Sequence, residues 1–448
     1  MAAAAVTGDH RRGKTALFLI ACGWAGAAPH WLDAGRSLLP AITLAFVLGG
    51  YVLRTVLRGW GVASEEAEAT AEAEANALQL LADDAWPRVD VVVAARDEEA
   101  VVSRLVERLS ALRYPEGKLV NWIVDDGSED ATPELLDQLA EKFSNIQVIH
   151  RPPAAGGGKS GALNEALQKV EGDWLLILDA DAQLQDDLLM RLVSFAQQGG
   201  WSAVQLRKAV INPQHNVLTR VQAMEMALDA LMQQGRLAGG GVVELRGNGE
   251  LLQRSVLESC GGFNEDTVTD DLDLSFRFLT AGAQVGILWD PPVQEEAVES
   301  VGALWKQRQR WAEGGLQRFF DYWPTLMSNQ LSIKQRYDLA CFFLLQYALP
   351  VVSFSDLVTT LLTRTIPTYW PLSIVAFSVS GMAYWRGCRR VSEGPPLPSP
   401  QPWTLLMAIT YLAHWFVVIP WVTIRMSLLP KRLVWAKTSH RGQEPIQA

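Results

Sequence analysis

Apolar runs of membrane-crossing length stand near both ends of the chain, with a polar–apolar mixture between them. Thr15 to Trp31 and Ser37 to Leu53 open it; Leu339–Leu362, Trp370–Trp385 and Trp403–Ile424 close it. Each approaches or exceeds the roughly 17–25 residues that span a bilayer core. A chain built this way cannot hide all its apolar surface in one water-soluble core. Its mean hydropathy of +0.08 is too low for a wholly intramembrane protein, so it averages unlike segments. Charged residues are 20% of the chain, below the roughly 25% of soluble domains. No convincing small-residue cleavage site follows the first run, and a second comes almost at once, so a helical hairpin is expected rather than a signal peptide. Arg11, Arg12 and Lys14 precede the hairpin, and Arg54 and Arg58 follow it, which puts both ends on the cytoplasmic side. Three full spans after Trp323 would place the tail bearing Lys431, Arg432, Lys437 and Arg441 outside, against the same rule. One of the three is therefore not a simple crossing, and Pro350 and Asp356 interrupt the first of them.

The expected organisation is a membrane hairpin over 1–62, an acidic helical linker over 63–87, a cytoplasmic domain over 88–300, an amphipathic interfacial helix over 301–336, and a membrane region with a basic tail over 337–448. Within the cytoplasmic part, β-rich runs (Val89–Ala95, Val120–Val124, Ile146–His150, Trp174–Leu178) alternate with helix-like stretches such as Glu99–Leu112 and Pro133–Phe143. The runs are apolar nearly throughout, as parallel strands covered on both faces must be. That rhythm predicts an α/β fold, a doubly wound sheet inserted between membrane helices. A net charge of −10 argues against nucleic acid as a partner. Four cysteines without CxxC spacing and six histidines without HExxH argue against disulfide, zinc-protease and thiol chemistry.

In open α/β sheets ligands bind beyond the carboxyl ends of the strands. Val124 runs into Asp125-Asp126-Gly127-Ser128, and Leu178 runs into Asp179-Ala180-Asp181. Two carboxylates directly after a strand can hold a hard divalent cation that also takes diphosphate oxygens. Gly156-Gly157-Gly158-Lys159-Ser160-Gly161 reads either as a mobile loop or as a cation-bearing loop that opens a helix near Ala162 and faces phosphate. Thr269-Asp270-Asp271 precedes a helix and reads equally well as a cap or as functional acids. Val301 to Phe320 carries Trp305, Trp311, Phe319, Arg308, Arg310 and Arg318, a composition suited to a helix at a membrane surface.

In this order, Asp-Asp, Gly-Lys-Ser-Gly-Ala-Leu-Asn, Asp-Ala-Asp, Thr-Asp-Asp and Gln307-x-x-Arg310-Trp311 resemble the inverting family 2 glycosyltransferases, over roughly Val89 to Trp323. Arg11-Arg12-Gly13-Lys14, Glu244-Leu245-Arg246-Gly247-Asn248-Gly249, Gln294-Glu295-Glu296 and Lys431-Arg432-Leu433-Val434-Trp435 look like one branch of that family, the cyanobacterial β-monoglucosyldiacylglycerol synthases. The resemblance implies a nucleotide-sugar-binding domain of glycosyltransferase A type, UDP-glucose as donor, 1,2-diacylglycerol in a thylakoid or plasma membrane as acceptor, and Mg²⁺ or Mn²⁺ as cofactor. It implies Asp125 and Asp126 at the uracil and ribose. Asp179 and Asp181 fall to the metal and diphosphate, with Lys159, Gln307, Arg310 and Trp311 also on the donor. Asp271 becomes the general base, and Asp270, Gly247 and Asn248 lie on the acceptor side. Asp270 stands where the family has Glu, one methylene longer. The same layout serves processive polysaccharide synthases, the competing expectation, but those need a continuous membrane path for polymer.

Overall fold

The computed structural model describes residues 11–80 and 86–430; the basic tail and the end of the acidic linker lie outside the described residues. Its centre is a sheet of β1 (Val89–Ala95), β2 (Leu119–Asp125), β3 (Ile146–His150), β4 (Trp174–Asp179), β5 (Ala203–Val210), β6 (Glu250–Gln253) and β7 (Val285–Glu295), in spatial order β3-β2-β1-β4-β6-β5-β7. The pairs β1–β2, β1–β4, β2–β3 and β5–β7 are parallel, and β6 alone runs antiparallel to its neighbours β4 and β5. The doubly wound sheet is therefore present, with one reversed strand. All seven residues of β1 are buried, because helices cover both faces. Val102, Leu105, Leu188 and Leu192 pack on one face; Leu163, Leu231, Leu274 and Phe278 pack on the other.

β5, β6 and β7 carry no plain strand signal in the sequence. Gln205 and Arg207 sit inside β5 yet are each only 1% exposed. Gln205 is satisfied by Asn248 O at 2.8 Å and Arg207 by Asp290 Oδ1 at 2.8 Å, partners far along the chain. β7 contains Asp290-Pro291-Pro292, and its pairing with β5 shifts register between Leu206 and Lys208 to accommodate them.

Three segments among the described residues are long and apolar enough to cross a membrane: Gly35–Val62, Ile333–Thr363 and Pro402–Leu428. The first belongs to a continuous helix, Leu39–Leu80, that runs on through the expected linker boundary. It crosses the Val217–Ala238 helix of the sheet domain at backbone contact: a Cβ on Gly59 would lie 2.4 Å from Leu231 O, and one on Gly235 would lie 2.0 Å from Thr55 O. The expected span Thr15–Trp31 is α-helical as Arg11–Ala27, 17 residues packed against the Leu349–Thr363 and Trp415–Leu428 helices, and ends in a 3₁₀ turn over Ala28–Trp31. Trp370–Trp385 falls outside this set, which rests on length and hydropathy alone, and the chain that follows it returns to the sheet domain, where Arg191 Nη1 donates to Glu393 Oε2 at 2.9 Å. The helix of that run, Trp370–Gly387, packs on Leu39–Leu80 and on the sheet domain's Val217–Ala238.

Candidate active site

The register of the sheet brings the acids together. Asp125 pairs with Ala95 and Asp179 with Ala94, so both emerge at the carboxyl edge on either side of β1. The Asp179 N–H donates to Asn248 Oδ1 at 3.1 Å, and Asp181 Oδ2 accepts from the Glu296 N–H at 3.2 Å. Gly156, Gly157 and Gly158 have φ of 73°, 71° and 53°, a turn open to glycine, and the Gly158–Leu167 helix begins four residues before the expected start. Lys159 thereby reaches inward, its Nζ donating to Asp179 Oδ1 at 2.6 Å and to Gly247 O at 2.9 Å. Burial opposes its charge, but Asp179 and Asp270 raise its pKa, so it stays cationic.

Asp126 pairs with buried Arg151, whose Nη2 donates to Gly156 O at 2.8 Å; this pair braces the glycine turn. Asp125 accepts from the Ser128 N–H at 3.0 Å and meets His150 Nδ1 at 3.0 Å. Neither aspartate lines the main cavity.

Asp270 and Asp271 fall in the first turn of the Asp270–Thr280 helix, where the peptide dipoles favour negative charge. Thr269 makes no side-chain cap there. Asp273 is the structural acid of this turn, accepting from Asn264, Arg277 and Tyr322 at 3.1, 2.7 and 2.9 Å. Asp271 is free of such duties, and burial, with the neighbouring charge of Asp270, raises its pKa above the usual range. Gly247, at φ 81°, lies over it; a Cβ there would stand 3.2 Å from Asp271 Oδ2. Asn248, expected on the acceptor side, does not line the cavity: it is fully buried behind Gly247, and its Nδ2 donates to Glu295 Oε2 at 3.2 Å. Its Oδ1 holds the Asp179 N–H.

Two residues escaped the sequence reading. Glu250 accepts from the Gly247 N–H, and burial followed by the charge of Asp271 pushes its carboxyl up to about 8. Lys208 lines the cavity with its Nζ 3.0 Å from Glu295 Oε2. A lysine in an otherwise buried strand run was the available signal.

The Val301–Leu326 helix closes the site from above. Ser300 caps it, its side chain accepting from the Ala303 N–H at 3.2 Å. Gly314 and Gly315 let it touch its neighbours: a Cβ on Gly314 would stand 2.0 Å from Thr269 Oγ1, and one on Gly315 would stand 1.9 Å from the Tyr347 hydroxyl. Gln307, Arg310 and Trp311 face the cavity. Arg310 has no hydrogen bond or ion pair among the described residues, so its charge is available to a ligand. Arg308 and Arg318, expected at a membrane surface, are instead buried at 0% and 3% exposure. Arg308 pairs with Glu225 and stacks 4.1 Å from the Trp311 ring; Arg318 pairs with Glu244 at 3.1 Å.

One cavity of about 490 Å³ joins these groups. Lys159, Asp179, Asp181, Asp270 and Asp271 line it, together with Phe342, Leu345 and Leu412 from the segments of membrane-crossing length. Among the described residues no group of three or more His, Cys, Asp or Glu side chains forms a metal cage. Asp179 and Asp181 offer hard oxygen donors beside an open cavity, a set that suits a divalent cation completing its shell with substrate phosphates and water.

A family model described as "Glycosyltransferase like family 2" matches residues 87–314. The beta-monoglucosyldiacylglycerol synthase of Synechocystis sp. is 41% identical over 440 residues, covering 96% of this chain and 89% of its own. That of Nostoc sp. is 39% identical over 437 residues, covering 96% and 90%. Among solved structures, the mannosyltransferase PcManGT from Pyrobaculum calidifontis, in complex with GDP-Man and Mn²⁺, has a TM-score of 0.56 at 19% identity and covers 87% of this chain and 99% of its own, a likeness of fold.

Proposed function

We propose, on the premise that this chain belongs to the family 2 glycosyltransferases, that it transfers glucose from UDP-glucose to the 3-hydroxyl of 1,2-diacylglycerol, with inversion, giving β-monoglucosyldiacylglycerol and UDP. The observation that carries this reading is a cavity lined both by carboxylates and Lys159 and by apolar side chains of crossing-length segments. Diacylglycerol has that split character: one hydroxyl at headgroup level on two chains that stay in the leaflet.

The chemistry follows from the side chains. A glycerol hydroxyl is a weak nucleophile at neutral pH, so a carboxylate must take its proton as the new bond forms. Asp271 lines the cavity with no ion-pair partner among the described residues, and its raised pKa makes it a stronger base than an ordinary aspartate. Such general base help is worth about 10²–10⁴-fold. The proton leaves the hydroxyl for an Asp271 oxygen, the hydroxyl oxygen attacks the anomeric carbon, and the bond to UDP breaks on the opposite side. Arg310 and Lys159 face the charge gained by the departing diphosphate. Asp179 and Asp181 would hold the divalent cation, Mg²⁺ or Mn²⁺, which supplies further neutralisation of that diphosphate. No second carboxylate nucleophile is needed, unlike retaining glycosidase chemistry.

The domain is proposed to face the cytoplasm. Arg11 pairs with Glu313, Lys14 Nζ donates to Phe320 O at 2.6 Å, and Arg58 Nη1 donates to Ala238 O at 3.0 Å. The basic residues at both ends of the N-terminal helical pair thus lie against the catalytic side, in accord with positive-inside.

The test is to incubate membranes with labelled UDP-glucose and UDP-galactose and to identify the lipid product and its anomer. A β-linked single-glucose lipid is expected; a polymer, or an α-linked product, refutes the reading. Asp271→Asn is expected to retain UDP binding and lose turnover, and near-native rates would remove Asp271 as base.

A further inference from the structure

The cavity has a second polar wall that the reaction does not use. Glu244, fully buried, lies between Arg318 Nη2 at 3.1 Å and Arg246 Nη1 at 2.9 Å, with Arg236 Nη2 at 3.8 Å. Burial alone would raise its pKa, but the three guanidinium groups, Arg318 first, hold it down at about 2. Arg236 also meets Asp338 at 2.9 Å, and Arg246 meets Asp229 at 2.9 Å. Three cations therefore face three carboxylates, and the cluster is closed in charge. It is not closed in hydrogen bonds. Arg318 meets the Tyr347 hydroxyl, yet its Nε and Nη1 are buried without a hydrogen-bond partner, as are Glu244 Oε1 and Arg236 Nη2. Leaving buried donors unmade costs more than an ordinary bond is worth. Phe342 and Leu345 line the cavity beside them.

This wall lies close to the reacting centre. Glu244 is three residues before Gly247, which spans at most about 10 Å of extended chain. The Leu245 N–H donates to Ser275 Oγ, itself bonded to Asp271 O, both at 2.8 Å. A ligand for these donors must offer acceptor oxygens, carry no charge and sit among apolar groups. An anionic lipid phosphate would find no uncompensated cation in the cluster, whereas an acyl ester carbonyl meets every condition.

We infer that Arg318 donates from Nε and Nη1 to an acyl-ester carbonyl of the acceptor, which makes it a specificity-determining residue for neutral ester lipids. This rests on the diacylglycerol reading above. It adds that the enzyme recognises the ester linkage as well as the free hydroxyl.

The test compares dioleoylglycerol with the matching 1,2-dialkylglycerol, which keeps the hydroxyl and chains but lacks the carbonyls, using the purified full chain in detergent with UDP-glucose. A hydrogen bond from a charged donor predicts kcat/KM at least about 10-fold higher for the diester. Arg318→Lys keeps a cation beside Glu244 but loses the planar donor pair. It is expected to lower kcat/KM for the diester about 10-fold, leave the diether nearly unchanged, and bring their ratio towards one. UDP-glucose hydrolysis measured on the same samples reports an intact donor site. Equal use of both lipids by the unmodified protein overturns the inference, whether or not the variant folds. A ratio preserved in Arg318→Lys also overturns it. Transfer to neither lipid, with glucose found on some other acceptor, is the distinct outcome in which the diacylglycerol reading fails and takes this inference with it.

Discussion

Gly314→Ala tests whether the placement of the Val301–Leu326 helix controls catalysis. A Cβ at this position would stand 2.0 Å from Thr269 Oγ1, 2.6 Å from its Cγ2 and 2.8 Å from its Cβ. An ordinary contact begins near 3.4 Å, so the overlap with Oγ1 is about 1.4 Å and rotating the threonine leaves the Cβ overlap in place. The helix must move away from the Thr269-Asp270-Asp271 turn, taking Gln307, Arg310 and Trp311 with it. Overpacking of this kind costs about 1–3 kcal/mol of stability, and a displacement near 1 Å of positioning groups costs up to about 10²-fold in rate. The expected outcome is a folded protein whose kcat falls about 10–100-fold, with UDP-glucose KM also raised. Transfer of labelled glucose to diacylglycerol in detergent, alongside a thermal melt, measures both. Thr269→Ala in the same chain removes Oγ1 and Cγ2 and should restore part of the loss. Near-native turnover by Gly314→Ala, or no rescue in the double variant, would refute the claim that backbone contact here sets the active geometry.

Other outcomes follow from the same geometry. Asp271 must be ionised to accept a proton and its pKa is raised, so the acid limb of the kcat/KM–pH profile should lie above the ~3.9 of a free aspartate. Glu250, neutral below about 8, gains charge beside Asp271 as pH rises further, which opposes diphosphate binding. Glu250→Gln should therefore keep the acid limb and lose the alkaline decline; an unchanged alkaline side would dismiss Glu250 as its source. Asn248→Ala strips the Asp179 N–H of its acceptor and Glu295 of a donor, with an expected stability loss of about 1–3 kcal/mol and a higher UDP-glucose KM, checked by chemical unfolding and donor titration. Excess EDTA should abolish transfer and added Mg²⁺ or Mn²⁺ should restore it, whereas full activity in EDTA would remove the metal from Asp179 and Asp181.

The first four strands were legible because each is a short, predominantly apolar run, and β1 and β3 match their expected limits. The acids that follow β2 and β4 were legible for the same reason, since a strand's end fixes where its next side chain emerges. The remaining strands were not. β5 reads as polar because Gln205 and Arg207 are satisfied by Asn248 and Asp290, residues no local window contains. Arg308 and Arg318 likewise look like headgroup-facing cations, yet Glu225 and Glu244 draw them inward. Asn248 was placed on the acceptor side only by the resemblance of the Glu244–Gly249 stretch, whereas its side chain faces the end of β4.

Sequence alone determined the membrane share of the chain, the α/β rhythm and the order of the acidic motifs, because these depend on residues close together along the backbone. Tertiary structure decided which acid of the Asp270–Thr280 helix is structural and which arginines are paired. Those outcomes depend on burial. A charge removed from water must find its partner wherever the fold brings one, and that partner has no fixed distance along the chain.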